Sequence, residues 1–117
     1  MKQLKKLFVA LVVVAGVTVS TPVMATDFSC TPTEVSVFEN RIHVRCSEPA
    51  LDGRNTIWFW AVSTVDAQHA NRFLSTATTA LVSGRKLILG FDPGDTSGVS
   101  FGCLAHDCRV PWKIGIY

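Results

Sequence analysis

The stretch Thr33-Glu34-Val35-Ser36-Val37-Phe38-Glu39-Asn40-Arg41-Ile42-His43-Val44-Arg45-Cys46 decides how this chain folds. Apolar and polar residues alternate on both sides of Glu39-Asn40, the period-two pattern of two strands joined by a tight turn. One register satisfies both faces. With Glu39-Asn40 as the turn, Val37 lies opposite Ile42 and Val35 opposite Val44, which makes one face apolar. The other face pairs Phe38 with Arg41, Ser36 with His43 and Glu34 with Arg45, so opposite charges meet across the ladder. Glu-Asn is not the favoured dipeptide of a two-residue turn, and a longer loop stays open.

Downstream, Ser47 to Gly53 reads as a loop, and Asn55 to Thr64 as a strand rich in aromatic and β-branched residues. Ile57, Phe59 and Ala61 fall on one side of it and Trp58, Trp60 and Val62 on the other, so a central position fits best. Trp58 and Trp60 are either a binding platform or core, and large aromatic residues more often pack inside. Asp66 is placed as a helix N-cap ahead of Ala67, Ala70, Phe73, Leu74, Ala77 and Leu81, which recur at helical spacing, and Gly84 closes the segment. Gln68, Asn71, Arg72, Ser75, Thr76 and Thr79 make the opposite face polar, as on a surface helix that covers a core.

Arg85 to Phe91 reads as a further strand. It stops at the turn signal Asp92-Pro93-Gly94-Asp95, after which Thr96 to Gly102 is a glycine-rich loop. A last strand is expected within Arg109 to Tyr117. The resulting order, three strands, a helix and two strands, is that of a five-stranded OB barrel with its helix between strands 3 and 4. A small open α+β sheet uses the same elements.

Ahead of the hairpin, Lys2, Lys5 and Lys6 precede an apolar run from Leu7 to Val19 and small residues at Val23 and Ala25. That order predicts a cleavable signal peptide over residues 1–25, leaving 26–117 as one secreted or periplasmic domain. The apolar run is too short for a spanning helix of about twenty residues, so no membrane span is expected once the signal is cut. Of the eleven basic residues three lie in this segment, while all nine acidic ones lie beyond it. Eight basic against nine acidic side chains then remain, which gives no electrostatic case for nucleic-acid binding.

A domain of this size buries only about two-thirds of its unfolded surface, so covalent staples help. Cys30, Cys46, Cys103 and Cys108 form an even set, the usual mark of a disulfide framework in an oxidising compartment. Of three connectivities, Cys30 with Cys46 and Cys103 with Cys108 is preferred because each pair brackets a short loop. Cysteine spacings of fifteen and four intervening residues, with scattered histidines, do not suit zinc, and no cofactor is expected.

The placement of the cysteines, the tryptophan-bearing third strand and the segment from Phe73 through Ser83-Gly84-Arg85-Lys86-Leu87-Ile88-Leu89-Gly90-Phe91-Asp92-Pro93-Gly94 resemble the B subunits of AB5 toxins, of the subtilase-cytotoxin and typhoid-toxin type. The chain departs from them in a shorter front and in lacking an aromatic, proline-rich stretch after Gly94. The resemblance implies an OB fold that recognises a host glycan, as part of a homo-oligomeric ring and beside a toxin A subunit. Sugar sites pair an aromatic face with a few polar groups, and Phe91 and Asp92 are candidates of that kind, with Trp58 and Trp60 as the platform alternative.

Catalysis has a thinner basis. His43, His69 and His106 are the candidates for acid-base work at neutral pH, and nothing in the sequence makes them converge. A small secreted hydrolase or nuclease would use His43 with Glu34, Arg41 and Arg45, whereas the plainer reading is a solvated strand face. With all cysteines spent on bridges and no phosphate loop or serine elbow, a non-catalytic module that binds a glycan or a protein is the main expectation. A periplasmic inhibitor or accessory protein is a further one.

Overall fold

The computed structural model describes residues 25–117, so the expected signal peptide lies outside the described residues apart from its final Ala25. The described residues fold as a β-rich α+β unit of seven strands, β1 (Thr26–Cys30), β2 (Pro32–Val37), β3 (Arg41–Asp52), β4 (Asn55–Ser63), β5 (Leu87–Phe91), β6 (Cys108–Arg109) and β7 (Lys113–Ile116). One α-helix, α1 (Ala67–Ser83), separates β4 from β5. The strands form two sheets, ordered β1-β5-β7 and β2-β3-β4-β6, that are not closed into a single barrel.

The β2–β3 hairpin has the register its alternation dictates: Val37 opposite Ile42, Ser36 opposite His43, Val35 opposite Val44 and Glu34 opposite Arg45. The Phe38 N–H donates to the Arg41 carbonyl at 2.7 Å and closes the turn over Glu39 and Asn40. The helix is also as the caps require. The Asp66 carboxylate accepts from the His69 N–H, and Gly84 ends it in the left-handed conformation with φ 68°. Ala70, Phe73, Ala77 and Ala80 are its buried residues, while Ala67, expected on that face, is exposed.

Four features correct the sequence expectation. Thr26–Cys30 is a strand, paired antiparallel with β5 along the edge of the smaller sheet. The segment expected as a loop after Cys46 continues β3 to Asp52, with a break in its ladder to β4 between Arg45 and Ala50. Pro49 stands in that break, where its missing N–H costs no ladder bond. In β4 the N–H groups of Trp58 and Phe59 both donate to the Asp107 carbonyl, at 2.9 and 3.0 Å, as in a β-bulge. The extra residue shifts the alternation, and Ile57 joins Trp60 and Val62 in the main core instead of siding with Phe59 and Ala61.

Finally, the single last strand is two. β6 runs parallel to β4, Pro111 interrupts the chain, and β7 pairs antiparallel with β5 in the other sheet. The glycine-rich loop contains a short 3₁₀ helix, Ser97–Phe101.

The main core lies between the sheets and α1, around Ile42, Val44, Trp60, Phe73, Leu87 and Leu89. A second, smaller core of Ala61, Cys103 and Cys108, with Phe59, Phe101 and Val110 packed on it, forms on the far face of β4. Two disulfides are made, Cys30 with Cys46 and Cys103 with Cys108. Among the described residues no helix is long and apolar enough to cross a membrane.

One buried ion pair ties the segments together. Arg109, 1 % exposed, donates through Nε to the Asp52 carboxylate at 2.7 Å and through Nη1 to the carbonyls of Ala105 and Cys108. Asp52 also accepts the Gly94 N–H at 2.8 Å, so the end of β3, the turn after β5 and β6 share one carboxylate. Burial pushes the Asp52 carboxyl up, but the Gly94 N–H and the Arg109 guanidinium outweigh it and hold the group below its ordinary value. A carboxyl with a lowered folded value stabilises the fold above its unfolded value of about 3.9, and this stabilisation fades as pH falls through the folded value. Urea unfolding followed from neutral pH into acid should therefore show stability falling below about pH 4, with a shallower fall in Asp52→Asn. Parallel acid slopes in the two proteins would remove Asp52 as a cause.

Candidate functional site

The outer face of the β2–β3 hairpin carries a cluster of interacting polar and aromatic side chains. Register places Glu34 and Ser36 beside His43. Glu34 meets His43 Nε2 at 2.8 Å and accepts from Ser36 Oγ at 2.7 Å, and these bonds, the histidine's first, hold its carboxyl below the usual range. The carboxylate thus turns to His43 and makes no ion pair with Arg45, the residue opposite it. The His43 ring sits between two aromatic rings, 4.9 Å from Phe38 and 5.1 Å from Phe59. Arg41 lies over Phe38 at 4.0 Å and Arg45 over Phe59 at 5.8 Å.

This face becomes concave where the Cys103–Cys108 loop comes over it. Cys108 pairs beside Phe59, the Asp107 carbonyl takes two N–H groups of β4, and the short disulfide closes the loop on the second core. Between loop and hairpin is a cleft of about 180 Å³ lined by Arg41, His43, Phe59, Leu104 and Asp107. Gly102 forms part of its wall with φ 98°, and a Cβ there would stand 2.7 Å from an Arg41 guanidinium nitrogen. Residues with a side chain rarely adopt that backbone, so glycine is favoured there even if the arginine moves aside.

The residues singled out from sequence do not share a surface. Trp60 and Phe91 are core residues, 0 % and 3 % exposed, with ring centroids 5.1 Å apart, and Phe28 stacks on Trp60 at 5.6 Å. Trp60 Nε1 is buried without a hydrogen-bond partner among the described residues. Trp58 is half-buried at the bulge, and Asp92 is exposed, opening the turn through its carbonyl to the Asp95 N–H. The three histidines are apart as well. His43 lines the cleft, His69 lines a groove between α1 and the chain entering β7, and His106 is exposed on the loop 3.6 Å from Asp107.

Of the cleft residues, Arg41 and His43 stood out from sequence by their place on the polar hairpin face. Phe59, Leu104 and Asp107 did not. The close pair Cys103 and Cys108 was the available signal for them, since it marks a pinned loop, but what that loop packs against is a long-range property. No group of three or more His, Cys, Asp or Glu side chains among the described residues could hold a metal ion. Comparison with family models, with curated proteins and with solved structures finds no match to this chain.

Proposed function

We propose that this protein is an exported binding module that recognises a glycan and performs no chemistry of its own. The observation that carries this reading is the cleft over β3 and β4, which sets the Phe59 ring among Arg41, His43 and Asp107. An aromatic face suits the C–H side of a pyranose, and the surrounding donors and acceptors suit its hydroxyls. At about 180 Å³ the cleft lies below the roughly 300–1,000 Å³ of drug-sized pockets and fits a single sugar ring at the end of a chain. Export is supported by the basic, apolar and small-residue order of the N-terminus and by the pairing of all four cysteines.

The same reading takes the two sheets and the helix between β4 and β5 as an OB-like barrel left partly open. It also takes the likeness to AB5 toxin B subunits as a pointer to a ring of copies, with or without a toxin A subunit. A broad glycan array tests it. Binding is expected to one glycan class, with at least about tenfold weaker binding in Arg41→Gln and Asp107→Asn at unchanged melting temperature, as for loss of one or two hydrogen bonds to a bound group. Silence across the array, or binding indifferent to both substitutions, would reject glycan recognition at this cleft. Recovery of a tight one-to-one protein complex would replace it with an inhibitor role.

A second reading has one observation in its favour. A carboxylate that orients a histidine beside arginines can support phosphodiester or glycoside hydrolysis, and Glu34, His43 and Arg41 are so placed. Hydrolysis of a polymer that disappears in His43→Ala would select it.

A further inference from the structure

A second concavity, about 350 Å³, runs between α1 and the chain entering β7, and shares no residue with the cleft over β3 and β4. Its floor is apolar, formed by Phe73 and Pro111, both buried. Its rim holds Trp112, which leaves 54 % of its surface exposed. The backbone of Trp112 is held against β5. Its backbone N–H donates to the Gly90 carbonyl at 2.9 Å, and a Cβ on Gly90 would come within 3.1 Å of Trp112 Cζ2. Glycine at this point of β5 lets the indole lie close against the strand.

Nitrogen-bearing side chains line the groove from two elements. Lys113 Nζ is 5.7 Å from the Trp112 ring centroid and pairs with Asp27 at 2.9 Å. Across the groove, His69 and Arg72 stand three residues apart on α1, and so on one side of it. Neither side chain has a hydrogen-bond or ion-pair partner among the described residues. An exposed aromatic face, an apolar floor and a guanidinium without a partner among the described residues describe a site for a ring compound that carries an oxyanion, such as an acidic pyranose.

We propose that the groove between α1 and β7 binds a small ring compound bearing a phosphate or a carboxylate. The ring covers Trp112 and the oxyanion is met by the Arg72 guanidinium, with the His69 ring as a further hydrogen-bonding group on the same side of the helix. This inference is independent of glycan recognition at the other cleft, because the two sites use different residues and different elements.

The experiment is a titration of the ¹⁵N-labelled protein with glucose 6-phosphate, glucuronate, glucose and inorganic phosphate, following the Trp112 indole N–H signal. One or both anionic sugars are expected to shift it saturably, and which one does so separates phosphate from carboxylate. Affinity should exceed that for glucose and for inorganic phosphate by about tenfold, the worth of one charge-assisted bond or one stacked ring. Arg72→Gln, read at the Trp112 indole, should erase the preference over glucose, and Trp112→Ala, read at the backbone N–H signals of Arg72 and Lys113, should erase the preference over phosphate, with Arg41→Gln unchanged in both. Equal binding of all four probes, or no saturable shift with any, would overturn the proposal. A response in the Arg72→Gln protein equal to that of the parent would do the same.

Discussion

Replacing Arg109 with leucine is expected to destabilise the protein by about 3–5 kcal/mol, because it strands a buried carboxylate without its counter-charge. Arg109 and Asp52 are 1 % and 8 % exposed in their side chains, so water cannot take over the lost contact. On top of this, the carbonyls of Ala105 and Cys108 lose the guanidinium donor they share. In a domain of this size each kcal/mol moves the melting temperature by about 4–8 °C, so a fall of at least about 12 °C should be seen by calorimetry or circular dichroism. The double variant Arg109→Leu with Asp52→Leu separates the charge from the packing. Removing both charges should recover part of the loss, because a buried pair often does little better than apolar side chains of similar volume. If the single variant loses less than about 1 kcal/mol, the pair behaves as an exposed one and its role in joining β3, β6 and the turn at Gly94 is refuted.

This pair also shows where sequence reading stops. Asp52 and Arg109 are 57 residues apart, and each alone has the look of a surface charge. The β2–β3 hairpin was legible because its alternation is strict, and a slip by one residue would turn Val35, Ile42 and Val44 to solvent. Helix α1 was legible because Asp66 and Gly84 punctuate it and its small and aromatic residues share one stripe. The short strands were not. β1 reads Thr-Asp-Phe-Ser-Cys, mostly polar, and becomes a strand by pairing with β5 sixty residues later in the chain. β6 has two residues and exists through parallel pairing with β4, for which no local pattern prepares.

The site divides along the same line. Arg41, His43 and Glu34 could be put on one face from the hairpin alone. The concavity depends on the bulge at Trp58 and Phe59 and on the Asp107 carbonyl that satisfies it, neither of which has a signature of its own. The same bulge decided that Ile57 packs with Trp60. Simple alternation put Trp58 and Trp60 on one face, as platform or as core, and the folded chain takes the core reading for Trp60, which lies inside between Phe28 and Phe91.

The Cys30–Cys46 bond stands where the chain passes from one sheet to the other, and its removal is expected to have the second-largest effect. Cys30 ends β1 in the smaller sheet, Cys46 lies in β3 of the larger, and Thr31 alone separates β1 from β2. The crossing has polar ties too. The Thr31 carbonyl accepts the Ser47 N–H at 2.9 Å, and the Glu48 carboxylate accepts both the N–H and the hydroxyl of Thr31. Those bonds outweigh the upward push of burial and keep the Glu48 carboxyl below its usual range. In the chain-entropy account a bridge between residues 16 apart is worth about 3 kcal/mol, and one between residues 5 apart about 2. Urea unfolding of the paired serine variants should therefore show a larger loss for Cys30→Ser with Cys46→Ser than for Cys103→Ser with Cys108→Ser. The second pair should instead weaken whatever occupies the cleft, since it frees the loop that carries Leu104 and Asp107. The reverse order of stabilities would mean that Glu48 and the β1–β5 ladder hold the crossing by themselves, and that sulfur matters most where the loop closes over His43.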